Sequence, residues 1–547
     1  MTQLSDHYCN LGLKYKTQGK LNLAVKYLKK AITLSSDNYI YHYNLGNAYF
    51  LLQKFSYAIA SYQKSLNLNQ TNISIKKNYS QSLRHQAYIE KQSNQHQKAI
   101  TLLQKAQKIN PQNQDFYADL LTIYMDTCNW PKVKKLKQII RQRKILIPPF
   151  LSLAAWDDPS FHLQIAKKTS LNLKSQISHF PKYKYNSISK NKIKLGYLSG
   201  DFHNHAVSHL VWSLFKLHNR QKFTVFCYSY GKTDNSFYQQ EIKKGSDFFF
   251  DLHRSTSRQI ADKINNDKID ILVDLTGFTK NGRPDILLYQ PSSIQISWLG
   301  YPGTIGDKDV NYILADKIII PQTSRKYFTE KVLYFPYSYQ INSPNPKFTK
   351  NSTRSDLGIE KNTFVFASFN HAYKITQEIF TVWLNILRQV PNSVLWLLDQ
   401  NSLQSKSLRQ FAKKNQIDPY RLYFLPKVSK SEHLTRLRSV DLCLDTPIYN
   451  GHTTTSDSLS VGTPVVTYPG KSFASRVSTS LLSSLQIPEL IAADIVNYQK
   501  LALSLANSPQ LLTKIKNKLQ QNISSSPLFN TKQFILDLEQ IYLHLVN

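Results

Sequence analysis

The chain has 547 residues, 41% hydrophobic and 19% charged, which excludes a wholly disordered or collagen-like polypeptide and leaves room for two or three domains with sizeable cores. Lysine and arginine number 69 against 35 acidic residues, a formal net charge of +34; this suits an anionic partner such as a nucleotide, a nucleic acid or an acidic surface, and equally a generally basic solvated face. Cys9, Cys128, Cys227 and Cys443 are too few and too scattered for a disulfide scaffold or a CxxC zinc site. The start MTQLSDHYCN lacks a signal-peptide pattern and no apolar run reaches about 18 residues, so a cytoplasmic protein without a membrane span is expected.

Internal repetition dominates the first quarter. LGLKY and LGNAY place Gly12 and Gly46 34 residues apart, and Tyr15/Tyr49, Ala24/Ala58 and Leu28/Tyr62 recur at the same offset. A period near 34 with small residues at close helix contacts is the tetratricopeptide pattern, in which each helical hairpin buries its apolar face only by stacking on a neighbour. The register returns, after a few extra residues around 80–90, with Ala99, Leu103, Ala106 and Pro111, then with Leu120, Tyr124 and Trp130. Three or four hairpins are expected, ending near Pro148–Phe150, with the array occupying residues 1–147. Eight lysines and no acidic residue lie between Asp158 and Asp201. Without interleaved platform aromatics they read as a solvated face rather than a nucleic-acid site.

From Lys192 strands alternate with helices. KIKLGYLS, FTVFCYSYG, IDILVDLTGFT, IQISWLG and VNYILAD form one set; FVFASF, SVLWLL, RLYFLP and DLCLDT form another. Small and polar residues follow the strands, as in a mostly parallel doubly wound sheet whose ligand crevice lies at the strand carboxyl ends. Two Rossmann-like α/β halves, 148–350 and 351–547, with an interdomain cleft, are therefore expected. A last helix, Asn530–Val546, is able to pack back across the boundary.

Chemistry concentrates after the strands of the second half. In GHTTTSDSLSVGTP a helix opening at Thr453 presents unpaired N–H groups to an anion, with Thr453 and Thr454 as hydroxyl donors and Asp457 placed to accept from a ribose hydroxyl. A capped helix with no ligand accounts for the same residues. Lys374 follows FVFASF and can meet a diphosphate as a point charge, and Lys430 and His433 share one helical face. In DFHNHAVSH, His203, His205 and His209 invite a metal reading. They lack the HExxH form and a strand carboxylate at helical spacing, so a single histidine acting as base or donor at the cleft, with a pKa near the ordinary value of about 6.5, fits better. No convincing carboxylate pair stands at a strand end. Neither GxxxxGK[ST] nor GxGxxG occurs.

LGYLSGDFHNHAVSHL, ILVDLTGFTKNGR, QISWLGYPGTIG, FASFNHAYKI, PNSVLWLL, DLCLDTPIYNGHTT, VGTPVVTYPGKSFASRV and SPLFNTKQF, in this order, resemble the protein O-linked N-acetylglucosamine transferases and their plant SPINDLY-like relatives. The resemblance implies a tetratricopeptide superhelix fused to an inverting, metal-independent glycosyltransferase of the GT-B type. Such an enzyme moves N-acetylglucosamine from UDP-GlcNAc to Ser/Thr hydroxyls of protein or peptide acceptors held along the array. It implies that Lys374 contacts the donor diphosphate, that Thr453 and Thr454 hold it, and that Asp457 takes the ribose. Lys430, His433 and Arg436 would line the nucleotide pocket, His371 and His452 would flank it, and His205 would lie near the reacting groups. No metal and no cofactor beyond the donor are expected. His371 stands where the animal enzymes have glutamine, and Tyr337 and Phe248 replace two of their histidines. Because SPINDLY-like members use GDP-fucose, fucosyl transfer is the alternative activity, and an inactive tetratricopeptide scaffold the alternative of another class.

Overall fold

A computed structural model describes residues 2–181, 183–185, 192–345, 354 and 358–546. They divide into two compact units, Met1–Ile145 with Asn401–Leu403, and Leu146–Gln400 with Gln404–Asn547.

The first unit is all-α. Its described helices are Thr2–Thr17, Leu21–Leu34, Tyr39–Leu51, Phe55–Leu68, Ile73–Gln92, His96–Ile109, Asp115–Asp126 and Trp130–Gln142, which form four consecutive hairpins. The repeat glycines sit where helices touch: a Cβ on Gly12 would lie 2.7 Å from Leu28 Cγ, and one on Gly46 2.6 Å from Tyr62 Cε1. Ala24 and Ala58 are fully buried at equivalent contacts, within a core that includes Leu28, Tyr41, Tyr62, Tyr79 and Phe116. The turn inside each hairpin passes through a left-handed residue, in order Gly19, Gln53, Asn94 and Cys128. The longer third step has a simple cause. The helix Ile73–Gln92 has 20 residues where Tyr39–Leu51 has 13, so the inserted residues are absorbed as about two extra helical turns.

The second unit holds two parallel sheets. The first comprises β1 (Ile193–Ser199), β2 (Phe223–Ser229), β3 (Phe248–Asp251), β4 (Ile271–Asp274), β5 (Ile294–Ser297), β6 (Tyr312–Asp316) and β7 (Lys331–Phe335) in the order β3-β2-β1-β4-β5-β6-β7. The second comprises β8 (Phe364–Ser368), β9 (Ser393–Leu398), β10 (Leu422–Leu425), β11 (Leu442–Leu444) and β12 (Val465–Val466) in the order β10-β9-β8-β11-β12. Every registered strand pair is parallel. Strand order reverses between β1 and β4 in one sheet and between β8 and β11 in the other. Those are the points where an open α/β sheet leaves a crevice outside its carboxyl ends.

Two expectations change. IDILVDLTGFT reads as strand through Thr279, but β4 stops at Asp274, whose carboxylate accepts the N–H groups of Thr276 (3.1 Å) and Gly277 (2.9 Å) and turns the chain. In the lysine-rich stretch, Lys174 is not simply solvated: its Nζ bridges Asp307 (2.7 Å) and Asp309 (2.5 Å). Lys182 and Lys190 lie outside the described residues. The last helix, Thr531–Val546, packs on the first sheet, with Phe534 stacked on Phe335 (4.4 Å between centroids) and Trp298 (5.9 Å).

Candidate active site

Lys374 is carried out of β8 by the segment Phe369–Tyr373 and ends up buried, 7% exposed. Its Nζ donates to the Asn450 carbonyl at 2.7 Å and lies 4.3 Å from the Tyr449 ring centroid. No carboxylate stands within ion-pair distance of it among the described residues, and burial lowers its pKa to about 7 although the charge of Asp445 works the other way. Asp445, just past β11, accepts from Gly451 N–H (2.7 Å) and Thr467 Oγ1 (2.8 Å), and so fixes the loop leading to the next helix.

That helix is Thr453–Ser460. His452 at its cap position supplies no side-chain acceptor, so the N–H groups of the first turn have no partner within the helix. Thr454 Oγ1 donates to Asn370 Oδ1 at 3.0 Å and Thr455 Oγ1 pairs with Ser478 Oγ at 2.8 Å, while Thr453 is half-buried. A Cβ on Gly451 would fall 2.6 Å from Thr454 Oγ1, which keeps this approach backbone-only. His452 stacks on Tyr449 (4.9 Å), and burial together with Lys374 holds its pKa well below the ordinary value.

The helix Lys430–Leu437 supplies a second group. It starts with a capping box between Ser429 and Glu432. His433 meets the Phe369 ring edge-on (5.1 Å) and Arg436 lies over the same ring (5.5 Å), its Nη1 bound to the Pro426 carbonyl at 3.0 Å. Burial brings His433 down to about 4, so the ring is neutral at pH 7. Lys430 pairs with Asp457 through one of the two carboxylate oxygens. His371 is exposed, bonded to Gln400 through Nδ1 and stacked on Tyr373 at 5.6 Å.

Across from these, β1 runs into Gly200, Asp201 and the loop holding the histidines. His205 caps the helix Ala206–Val211, its Nδ1 accepting from Val207 N–H at 3.3 Å. Burial and the charge of Lys427 lower it to about 4, well under the ordinary value read from sequence. His209 bonds Asn204 (2.8 Å), lies 4.3 Å from the Tyr238 ring, and is lowered to about 3 by burial, Lys430, His205 and Lys427. The lysines of the second sheet's loops therefore act on the histidines of the first. His203 stands 5.5 Å from His205, ring to ring. Among the described residues no group of three or more His, Cys, Asp or Glu is arranged to hold a metal ion.

Sequence reasoning missed two carboxylates. Asp201 Oδ1 lies 3.6 Å from His205 Nδ1, four residues away, so a strand-end carboxylate does accompany the histidines. Asp274, at the end of neighbouring β4, is also buried; burial raises Asp201 to about 6, and burial with the added charge of Asp201 raises Asp274 to about 7. The signal was an aspartate at or just past the end of each of two adjacent strands, Asp201 in LSGDF and Asp274 in LVDLTG.

The two parallel sheets, with polar loops at their reversal points, are consistent with a GT-B-like fold that follows an all-α repeat array along the chain. Three tetratricopeptide models match residues 12–53, 39–72 and 82–113. The model described as Glycosyl transferase family 41 matches residues 133–351 and 342–538, and the chain belongs to that family. It is 34% identical over 453 residues to the "Probable UDP-N-acetylglucosamine--peptide N-acetylglucosaminyltransferase SEC" of Arabidopsis thaliana, covering 78% of this chain and 46% of the relative. It is 28% identical over 463 residues to the "UDP-N-acetylglucosamine--peptide N-acetylglucosaminyltransferase" of Caenorhabditis elegans, covering 64% and 40%. The chain thus spans less than half the length of these curated relatives. A solved structure of a mutant Thermobaculum terrenum O-GlcNAc transferase superposes with a TM-score of 0.69 at 21% identity, covering 100% of this chain and 97% of that one, a likeness of fold.

Proposed function

We propose that the chain is an inverting protein glycosyltransferase that moves N-acetylglucosamine from UDP-GlcNAc to Ser/Thr hydroxyls, with acceptor segments held by the tetratricopeptide array. One observation carries this reading: a buried lysine without a carboxylate partner stands with the uncapped first turn of a helix around the Asn450–Gly451 loop. Burying a cation in that state is unfavourable, and a diphosphate relieves it. Lys374 and the N–H groups and hydroxyls of Thr453 and Thr454 would meet the negative charge that grows on the leaving diphosphate, a stabilisation strongest in the transition state. His433, Arg436, His371 and His452 would line the nucleotide pocket, and Asp457 would exchange part of its contact with Lys430 for the ribose. With the charge met by cations and a helix end, transfer needs no metal and persists in excess EDTA.

The hydroxyl oxygen bonds to the anomeric carbon as the bond from that carbon to the phosphate oxygen breaks, the electron pair leaving on the diphosphate. The relatives' printed names support UDP-GlcNAc as donor. Calorimetry with UDP and with GDP, followed by transfer from UDP-GlcNAc or GDP-fucose to a Ser/Thr peptide, tests the reading. Binding of UDP with GlcNAc transfer is expected; GDP binding with fucose transfer would replace the donor, and no binding of either nucleotide at about millimolar concentration would leave the inactive scaffold.

A further inference from the structure

A neutral imidazole whose Nδ1 accepts the Val207 N–H carries its proton on Nε2. In that tautomer Nε2 donates a hydrogen bond and cannot take a proton from a hydroxyl. The other tautomer, with Nδ1–H and an open Nε2 lone pair, needs an acceptor for Nδ1–H. The carboxylate beside it is Asp201, with Oδ1 3.6 Å away. Asp201 is 6% exposed and its backbone is pinned, the N–H donating to Ser199 Oγ (2.9 Å) and the carbonyl accepting from Ser208 Oγ (2.6 Å). Its Oδ2 is buried with no hydrogen-bond partner. A buried carboxylate left in that state gains from any N–H turned toward it.

We propose that Asp201 is a positioning residue that sets the His205 tautomer, drawing the ring proton to Nδ1 so that Nε2 faces the acceptor hydroxyl as a base. The inference rests on the transferase reading. In the transfer step the hydroxyl proton moves to Nε2, and Asp201 meets the imidazolium charge at Nδ1–H. Without an ionised Asp201 the ring returns to the Val207 cap and offers only Nε2–H. Lys427, His203 and His209 face His205, while His203, Asp274 and Tyr230 face Asp201. Burial and Lys427 keep His205 uncharged at neutral pH, and burial sets Asp201 to ionise near about 6. The acid limb of turnover therefore belongs to Asp201.

The test uses the full chain with Asp201→Asn and Asp201→Ala, reading His205 by nitrogen-15 NMR and kcat and KM from about pH 5 to about pH 8.5. In the wild type the His205 signals move toward the Nδ1–H tautomer as pH rises through Asp201's titration. The Asn amide can donate to Nδ1 and hold the proton on Nε2; kcat then falls about 10²-fold or more with the acid limb abolished, while KM for the donor stays within about twofold. The Ala variant loses the same limb. Identical tautomer profiles in wild type and both variants overturn the proposal, as does wild-type kcat with an intact acid limb in the Asn variant. A wild type that transfers no sugar yet shows the Asp201-dependent tautomer shift supports the tautomer assignment and overturns the transferase reading.

Discussion

Lys374 is the residue on which the site's electrostatics turn. With a pKa lowered to about 7 by burial, it is only part-charged at neutral pH before a nucleotide binds. A bound diphosphate would raise that pKa, so between about pH 7 and the new value the complex holds a proton that the free protein lacks. Nucleotide binding at about pH 8 should therefore take up protons, and affinity should fall by up to about tenfold per pH unit above 7. The phosphate's own last ionisation, near about pH 6, lies below this window. Calorimetry of UDP in buffers of different ionisation enthalpy checks it. Lys374→Met should abolish the uptake and, through lost leaving-group stabilisation, lower kcat/KM by about 10²-fold or more; uptake unchanged in the variant would remove Lys374 from the diphosphate site. The position of Lys374 after a strand was legible in the sequence, because strand ends collect ligand-binding groups. Its burial without a carboxylate partner was not, since Tyr449 and Asn450 come from 75 and 76 residues further along the chain.

At the scale of elements, the helices Lys430–Leu437 and Thr453–Ser460 are joined by the Lys430–Asp457 pair, whose side chains are 12% and 9% exposed. Removing one charge of a poorly solvated pair leaves the other uncompensated, whereas removing both relieves the penalty. Lys430→Met should destabilise the nucleotide-free protein by about 3 kcal/mol, and the double variant with Asp457→Asn should recover most of that. Thermal melts of the three proteins decide: additive losses would mean the pair is not coupled. The helix and strand starts were readable because capping and alternation are local. The stop of β4 was not, since it depends on one carboxylate folding back on two N–H groups. The inserted turns of Ile73–Gln92 appeared in the sequence only as a slipped register. That Asp201 and Asp274 stand at the ends of adjacent strands follows from strand order, which puts β1 beside β4 rather than beside its successor alone, and spacing along the chain carries no trace of that.

On the scale of the whole α/β unit, the end of the chain completes the first sheet's core. Tyr542 Oη lies 3.3 Å from Tyr197 Oη, Tyr197 Oη lies 2.8 Å from His218 Nε2, and His218 Nδ1 lies 2.9 Å from Glu539, which also accepts the Asn219 N–H at 2.8 Å. A neutral His218 with its proton on Nδ1 satisfies every member: Tyr542 donates to Tyr197, Tyr197 to Nε2, and Nδ1–H to Glu539. Burial would raise the Glu539 pKa, but the bonds from His218 and Asn219 outweigh it and hold the carboxyl below its ordinary range. Burial lowers His218, against the pull of Glu539. The signs agree. Each depressed pKa contributes stability that is present above the unfolded value, about 6.5 for histidine and about 4.3 for glutamate, and is lost as pH falls through the folded value. Acid should therefore loosen the helix Thr531–Val546 first from its docking on β1, and amide exchange in that helix should accelerate as pH drops below about 6.5 once the intrinsic pH dependence is removed. Glu539→Gln should cost about 1–3 kcal/mol at neutral pH, and should flatten the carboxylate part of the acid loss because the amide no longer titrates. Chemical denaturation of both proteins at about pH 7 and about pH 4 measures it. Equal acid losses in the two would show that the circuit does not govern docking of the chain's end.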